Sequence, residues 1–183
     1  MADFRISLAG DLGSGKSTVG KLLGRKFGAE IISVGKMQRN IAAELGMDVT
    51  QFNLYQESHP EFDKMLDGKI AEYDKLSGSF IFDSRLAWHF APSAFSVYLK
   101  CGLEESAKRI LAEQRNDECY SSIEEAKYKI TERRKSEKER YLSFYGVDIT
   151  DMKNYDLVVD TVGKTPEQVA EEIVCGWEKY NLK

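Results

Sequence analysis

Gly10-Asp11-Leu12-Gly13-Ser14-Gly15-Lys16-Ser17 matches the pattern G-x-x-x-x-G-K-[ST] at every specified position and is followed by Thr18. These residue types at this spacing serve one chemistry, the holding of a polyphosphate. The glycines at 10, 13 and 15 admit positive φ and let backbone N–H groups approach phosphate oxygens without a Cβ in the way. Lys16 is expected to reach the β- and γ-phosphates as a point charge. Ser17 is expected to place its hydroxyl on Mg²⁺, and Thr18 to add a phosphate contact.

The neighbours of the loop agree with that reading. Phe4 to Ala9 reads as a short buried strand, and the segment after Lys16 carries Val19, Leu22, Leu23 and Phe27 at helical spacing before Gly28. Glu30–Ser33 reads as a second strand leading into a helix whose stripe, Met37, Ile41 and Leu45, ends at Gly46. Asp48 with Gln51 forms a candidate capping box, and Pro60 opens a helix running to about Leu76, with His59 before it as a cap. Ser79–Asp83 and Phe95–Leu99 read as the third and fourth strands, the latter followed by a helix from Leu103 to Gln114. After a polar loop at Asn116–Tyr120, Ser122 and Glu125 look like a capping box for a long charged helix through Arg140. Tyr155–Asp160 is the fifth strand, and Thr165 with Gln168 caps the last helix. Strands alternating with helices predict an α/β fold of three layers, with a five-stranded parallel sheet covered on both faces and right-handed crossovers.

A phosphate loop by itself serves ATPases, switches and kinases alike, so the placing of the other cations matters. An enzyme moving phosphate onto a second phosphate needs separate cations for donor, acceptor and transferring group. Arg39 follows the second strand and Arg85 the third, where ligands bind in open parallel sheets. Arg133 and Arg140 lie seven apart, about two turns, on one face of the charged helix. A solvated helix laced with i,i+4 pairs is the competing explanation of that helix.

Four ordered segments resemble the archaeal-type cytidylate kinases, in the superfamily of P-loop nucleoside monophosphate kinases: the loop itself, Ser33-Val34-Gly35-Lys36-Met37-Gln38-Arg39, Asp83-Ser84-Arg85-Leu86-Ala87-Trp88, and the lid-like Arg133-Arg134-Lys135-Ser136-Glu137-Lys138-Glu139-Arg140. The resemblance implies a phosphotransferase passing the γ-phosphate of Mg·ATP to a pyrimidine nucleoside monophosphate, CMP or dCMP. It implies that Gly10 to Thr18 hold ATP, with Lys16, Arg133 and Arg140 at the transferring phosphoryl. Gly35, Arg39 and Arg85 would frame the acceptor phosphate, and Asp63 and Asp67 would touch its sugar or base. Trp88 would stack on the pyrimidine or pack internally. Ser17 would hold Mg²⁺, and Asp83 would do so through water, anchor the loop or cap the next turn. A core of 1–35, 77–114 and 150–183 would carry a monophosphate-binding insertion at about 36–76 and a lid at about 115–145. Leu86 stands where the bacterial-type enzymes carry an aspartate, Ser84 replaces a glycine, and Arg134 replaces an acidic lid residue. A related small kinase with another acceptor, or a regulatory module that binds ATP without transfer, remain the alternatives.

Composition bounds the rest. A chain of 183 residues is expected to form a single domain, and 42% hydrophobic with 31% charged residues is ordinary for a water-soluble protein. The net charge of −4 argues against a general nucleic-acid or membrane-surface binder, so the partners expected are small molecules. No apolar run reaches the roughly 20 residues of a membrane span and no signal peptide is legible, which leads to the expectation of a cytoplasmic monomer. Cys101, Cys119 and Cys175 are widely spaced and lack a CxxC pair, the pattern of reduced structural thiols.

Overall fold

The five expected strands form one parallel sheet in the order β2-β3-β1-β4-β5. They are β1 (Arg5–Gly10), β2 (Glu30–Ser33), β3 (Phe80–Asp83), β4 (Phe95–Lys100) and β5 (Leu157–Asp160) in a computed structural model that describes residues 3–113 and 120–182. The chain leaves β1, crosses to β2, returns to β3 beside β1, and then builds β4 and β5 on the other side. The reversal of direction falls at the carboxyl end of β1, where open α/β sheets bind ligands. Register places Ser33 opposite Asp83 and Gly10 opposite Leu99, so the chemistry-bearing strand ends share one edge.

Alternation along the strands divides the core between the two faces of the sheet. Ile6 and Leu8 of β1, Ile81, Val97, Leu99 and Val159 pack against Val19 and Leu23 of α1 (Lys16–Phe27) and Val169, Ile173 and Val174 of α8 (Pro166–Asn181). Phe80 and Phe82, flanking Ile81, turn the other way onto Leu66 and Ile70 of α4 (Pro60–Asp74). Fully burying each such side chain stabilises the fold by about 1.5–3 kcal/mol, which is how four-residue strands persist.

Three helices fill the segment between β2 and β3: α2 (Val34–Glu44), α3 (Val49–Ser58) and α4. The Asp48/Gln51 and Thr165/Gln168 capping boxes form as expected. Beyond β4 come α6 (Leu103–Glu113) and α7 (Ile123–Tyr145), which pack through Ala107, Ile110, Ala126 and Ile130. Except for Tyr120, the loop expected at Asn116–Tyr120 lies outside the described residues, as do Gln114 and Cys119.

Several local expectations are corrected. The charged helix does not stop at Arg140 but runs to Tyr145, because Tyr141 and Tyr145 join Leu86, Ile149 and Trp88 in an apolar cluster. Ser122 caps it, yet Glu125 reaches back to Ser121 and not to the cap residue, so that box is half formed. His59 makes no side-chain cap bond, and its ring stacks on Tyr55 at 3.6 Å. A short helix, α5 (Ala87–Phe90), and a 3₁₀ turn at Met152–Asn154 were not legible, being too brief to show a period.

Candidate active site

The loop after β1 takes its shape from two close approaches. Gly10 does not adopt positive φ, contrary to expectation; a Cβ there would lie 2.7 Å from the Leu99 carbonyl oxygen of the neighbouring strand. Gly13 has φ 70° and would place a Cβ 2.8 Å from the Ser106 carbonyl oxygen. Gly15, at φ 79°, precedes α1 without a side-chain cap. Among the described residues the backbone N–H groups of Gly13, Gly15, Lys16 and Ser17 find no acceptor, and the buried Ser14 hydroxyl makes no hydrogen bond. Orphaned donors at a helix N-terminus form an anion cradle, and a polyphosphate fits them.

Lys16 lies on the first turn of α1 and pairs with the Asp83 carboxylate at the end of β3. Asp83 also accepts a 2.9 Å hydrogen bond from the Ser33 hydroxyl at the end of β2. One carboxylate thus ties the first turn of α1 to the ends of β2 and β3, and in the turn that follows the Ser84 hydroxyl accepts from the Leu86 N–H. Burial pushes the Lys16 ammonium below its ordinary range, and Asp83 opposes that in part. Ser17 and Thr18 are exposed on the same turn.

Arg85, just past β3, donates from Nη1 to the Gly10 carbonyl and from Nε to Glu137 at 2.9 Å. The other Glu137 oxygen accepts from Arg133 Nε at 3.0 Å, one turn earlier on α7. Burial would raise the Glu137 carboxyl, but Arg85 and then Arg133 outweigh it and hold it at about 2. Arg85 therefore meets the loop that carries Lys16, and Glu137 joins Arg133 of α7 to Arg85.

Arg140 occupies a different neighbourhood. It approaches Asp63 of α4 at 3.3 Å, both side chains 3% exposed, and donates to the Asn53 carbonyl of α3 at 3.3 Å. The Asp63 approach is an ion pair without hydrogen-bond alignment: Arg140 Nε and Asp63 Oδ2 are both left without a hydrogen bond. The other Asp63 oxygen accepts from Gln56, which in turn accepts from Gln38. Asp67 accepts from the Tyr145 hydroxyl at 2.9 Å, and burial pushes its carboxyl up to about 7. Asp63 and Asp67 of α4 thus face α7.

Two expected acceptor residues stand apart from these clusters. Arg39 is exposed on α2 beside Gly35, with no polar partner among the described residues. Trp88 packs in the cluster with Leu86, Tyr141 and Ile149, its ring edge-on to Tyr155 at 6.2 Å. Tyr145 of α7 packs against the same cluster.

Glu137, Tyr98 and Arg109 escaped the sequence reading. Glu137 is four residues after Arg133 and three before Arg140, a spacing that puts all three on one helix face. Tyr98 alternates with Val97 and Leu99 and so faces away from the main core, where its hydroxyl donates to Asp11 at 2.5 Å. Arg109 of α6 binds the Gly13 carbonyl at 3.3 Å and the Thr161 carbonyl at 2.9 Å, with no motif to announce it.

No described helix is long and apolar enough to cross a membrane. The cytidylate kinase-like family matches this chain over residues 5–162. A cytidylate kinase of Thermoplasma volcanium is 38% identical over 170 residues, covering 91% of this chain and 87% of that one. A cytidylate kinase of Pyrobaculum neutrophilum is 37% identical, covering 85% and 83%. An S-adenosylmethionine-dependent nucleotide dehydratase of Lacinutrix mariniflava is 36% identical over 97% of this chain, which spans only 36% of that protein's length. Among solved structures, a shikimate kinase of Acinetobacter baumannii shares the fold, with TM-score 0.63 at 17% identity over 98% of this chain and 96% of that one. With the phosphate loop at the switch point of a five-stranded parallel sheet, this chain belongs to the cytidylate kinase-like family and has the fold of the P-loop kinases.

Proposed function

We propose that the chain transfers the γ-phosphoryl of ATP to a pyrimidine nucleoside monophosphate, CMP or dCMP, as a monomer in the cytoplasm. The observation that supports this reading is the run of contacts at the Gly10–Thr18 loop: Lys16 of the loop pairs with Asp83, Arg85 donates to the Gly10 carbonyl, and Glu137 joins Arg133 of α7 to Arg85. Phosphoryl transfer asks mainly for positioning and for cations where charge collects. In this account the loop N–H groups and Lys16 orient the donor phosphates, and Arg39 and Arg85 hold the acceptor phosphate with Gly35 leaving room for it. Arg133 and Arg140, brought by the lid at about 115–145, act on the transferring group. Asp63 and Asp67, on the insertion at about 36–76, meet the nucleoside. Ser17 and Asp83 are the groups that would hold Mg²⁺, which when bound neutralises charge between the β- and γ-phosphates.

A second acceptor is favoured by one feature: Leu86 offers no polar group where the bacterial-type enzymes carry an aspartate. Steady-state ADP release with CMP, dCMP, UMP and AMP separates the two. The highest kcat/KM is expected with CMP or dCMP; a preference for UMP or AMP would reassign the acceptor.

A further inference from the structure

The second residue of the phosphate loop is an aspartate, which places a negative charge beside a site for a polyanion. At about 4–6 Å two like charges repel appreciably even near a protein surface, so this carboxylate needs compensation. The structure supplies it in full. Asp11, with a side chain 3% exposed, accepts from the Cys101 backbone N–H at 2.7 Å, from the Tyr98 hydroxyl at 2.5 Å and from the Arg134 guanidinium. The first two contacts staple the loop to the end of β4; the third comes from α7.

Successive residues of a helix point about 100° apart. Arg133 therefore turns to Glu137, while Arg134 turns to Asp11. The same helix also reaches the loop through Glu137 and Arg85, whose guanidinium donates to the Gly10 carbonyl. The two routes differ in kind: the Glu137 route is buried, whereas Arg134 is 41% exposed and lines, with Asp11, an open cavity of about 430 Å³. Ions of the solvent reach the second pair and screen it.

We propose that Asp11 and Arg134 are positioning residues that couple the phosphate loop to α7, so that filling the loop with nucleotide phosphate tightens the docking of the helix that carries Arg133 and Arg140. Arg134 acts through Asp11 and its own field and touches no substrate. Added negative charge in the loop raises the attraction on a guanidinium already seated there, while Asp11 keeps that guanidinium in place. The inference rests on the phosphoryl-transfer reading for its effect on rate, but not for its effect on the helix.

The test is amide hydrogen exchange across residues 123–145, with and without a non-hydrolysable ATP analogue. In the parent protein the analogue should slow exchange in α7, and 0.5 M NaCl should remove most of that gain. Arg134→Gln should cut the analogue-induced protection about fivefold, weaken analogue binding by a comparable factor, as the reciprocity of coupling requires, and lower kcat about fivefold. Arg134→Lys should restore part of each. Asp11→Asn combined with Arg134→Gln should cost no more than the worse single change, the mark of two residues acting as one pair. Undiminished, salt-insensitive protection in Arg134→Gln, or additive losses in the double variant, would overturn the coupling. Coupled exchange without turnover on any monophosphate would instead refute the phosphotransfer reading and leave the coupling standing.

Discussion

Glu137 offers the sharpest test of how the cations are held. Its carboxylate, 9% exposed, bridges Arg85 and Arg133 and is held at about 2 against an ordinary value of 4.5. By linkage a depression of that size corresponds to about 3 kcal/mol of folding stability, fully present above pH 4.5 and lost as the pH falls through about 2. Glu137→Gln keeps the shape and removes the charge, leaving two guanidiniums without their counter-ion. At pH 7 the variant should lose about 3 kcal/mol, which for a chain of this size is about 6–12 °C in the thermal midpoint. By pH 3 the unfolded carboxyl is mostly protonated and the difference should shrink to less than half. The assay is thermal or urea unfolding of both proteins at pH 7, 5, 4 and 3. A pH 7 loss under about 1 kcal/mol, or a difference that stays level across the series, would refute the reasoning.

Three further outcomes are expected. Asp67 is pushed up to about 7 by burial, so its folded-state preference for the proton favours folding below about 4 and is lost as the pH rises through 7; Asp67→Asn should therefore raise the thermal midpoint at pH 8 and leave it unchanged at pH 4, and equal effects at both would contradict the assignment. Gly13→Ala, at φ 70° and with its Cβ 2.8 Å from the Ser106 carbonyl, should cost about 1–3 kcal/mol and weaken ATP binding, as read by calorimetry; parental binding and stability would show that the loop tolerates the change. Arg39→Ala should raise the KM for the monophosphate about 10–100-fold, the worth of a charged hydrogen bond, with a small effect on kcat; unchanged acceptor kinetics would remove Arg39 from the site.

What was legible followed from strong local constraints. The strand, loop and helix around Gly10–Lys16 were readable because anion binding restricts residue type at nearly every step, and the parallel sheet because short apolar runs alternated with helical stripes. What was hidden depended on pairing between distant segments. Glu137 and Arg140 occupy buried positions of α7 that periodicity assigns to apolar residues, and they are tolerated there because Arg85 of the β3 end and Asp63 of α4 come from elsewhere to meet them, with Arg133 one turn earlier on the same helix. A solvated helix therefore stood as the competing explanation, and the helix was expected to end at Arg140 rather than Tyr145. Lys16 and Asp83 were each singled out for a ligand, but that they bind one another follows from the adjacency of β1 and β3, which only the sheet order reveals. Arg134 read as a departure from an acidic position; its meaning emerged with Asp11 across the fold.

The central claim is transfer of phosphoryl from ATP to a pyrimidine monophosphate at the Gly10–Thr18 loop. Chromatographic quantification of nucleotides after incubation with ATP, Mg²⁺ and CMP tests it most directly. The account predicts CDP and ADP in equal amounts, neither formed without the acceptor, with both lost in Lys16→Ala. ATP that binds but yields no ADP with CMP, dCMP or any other pyrimidine monophosphate would contradict it.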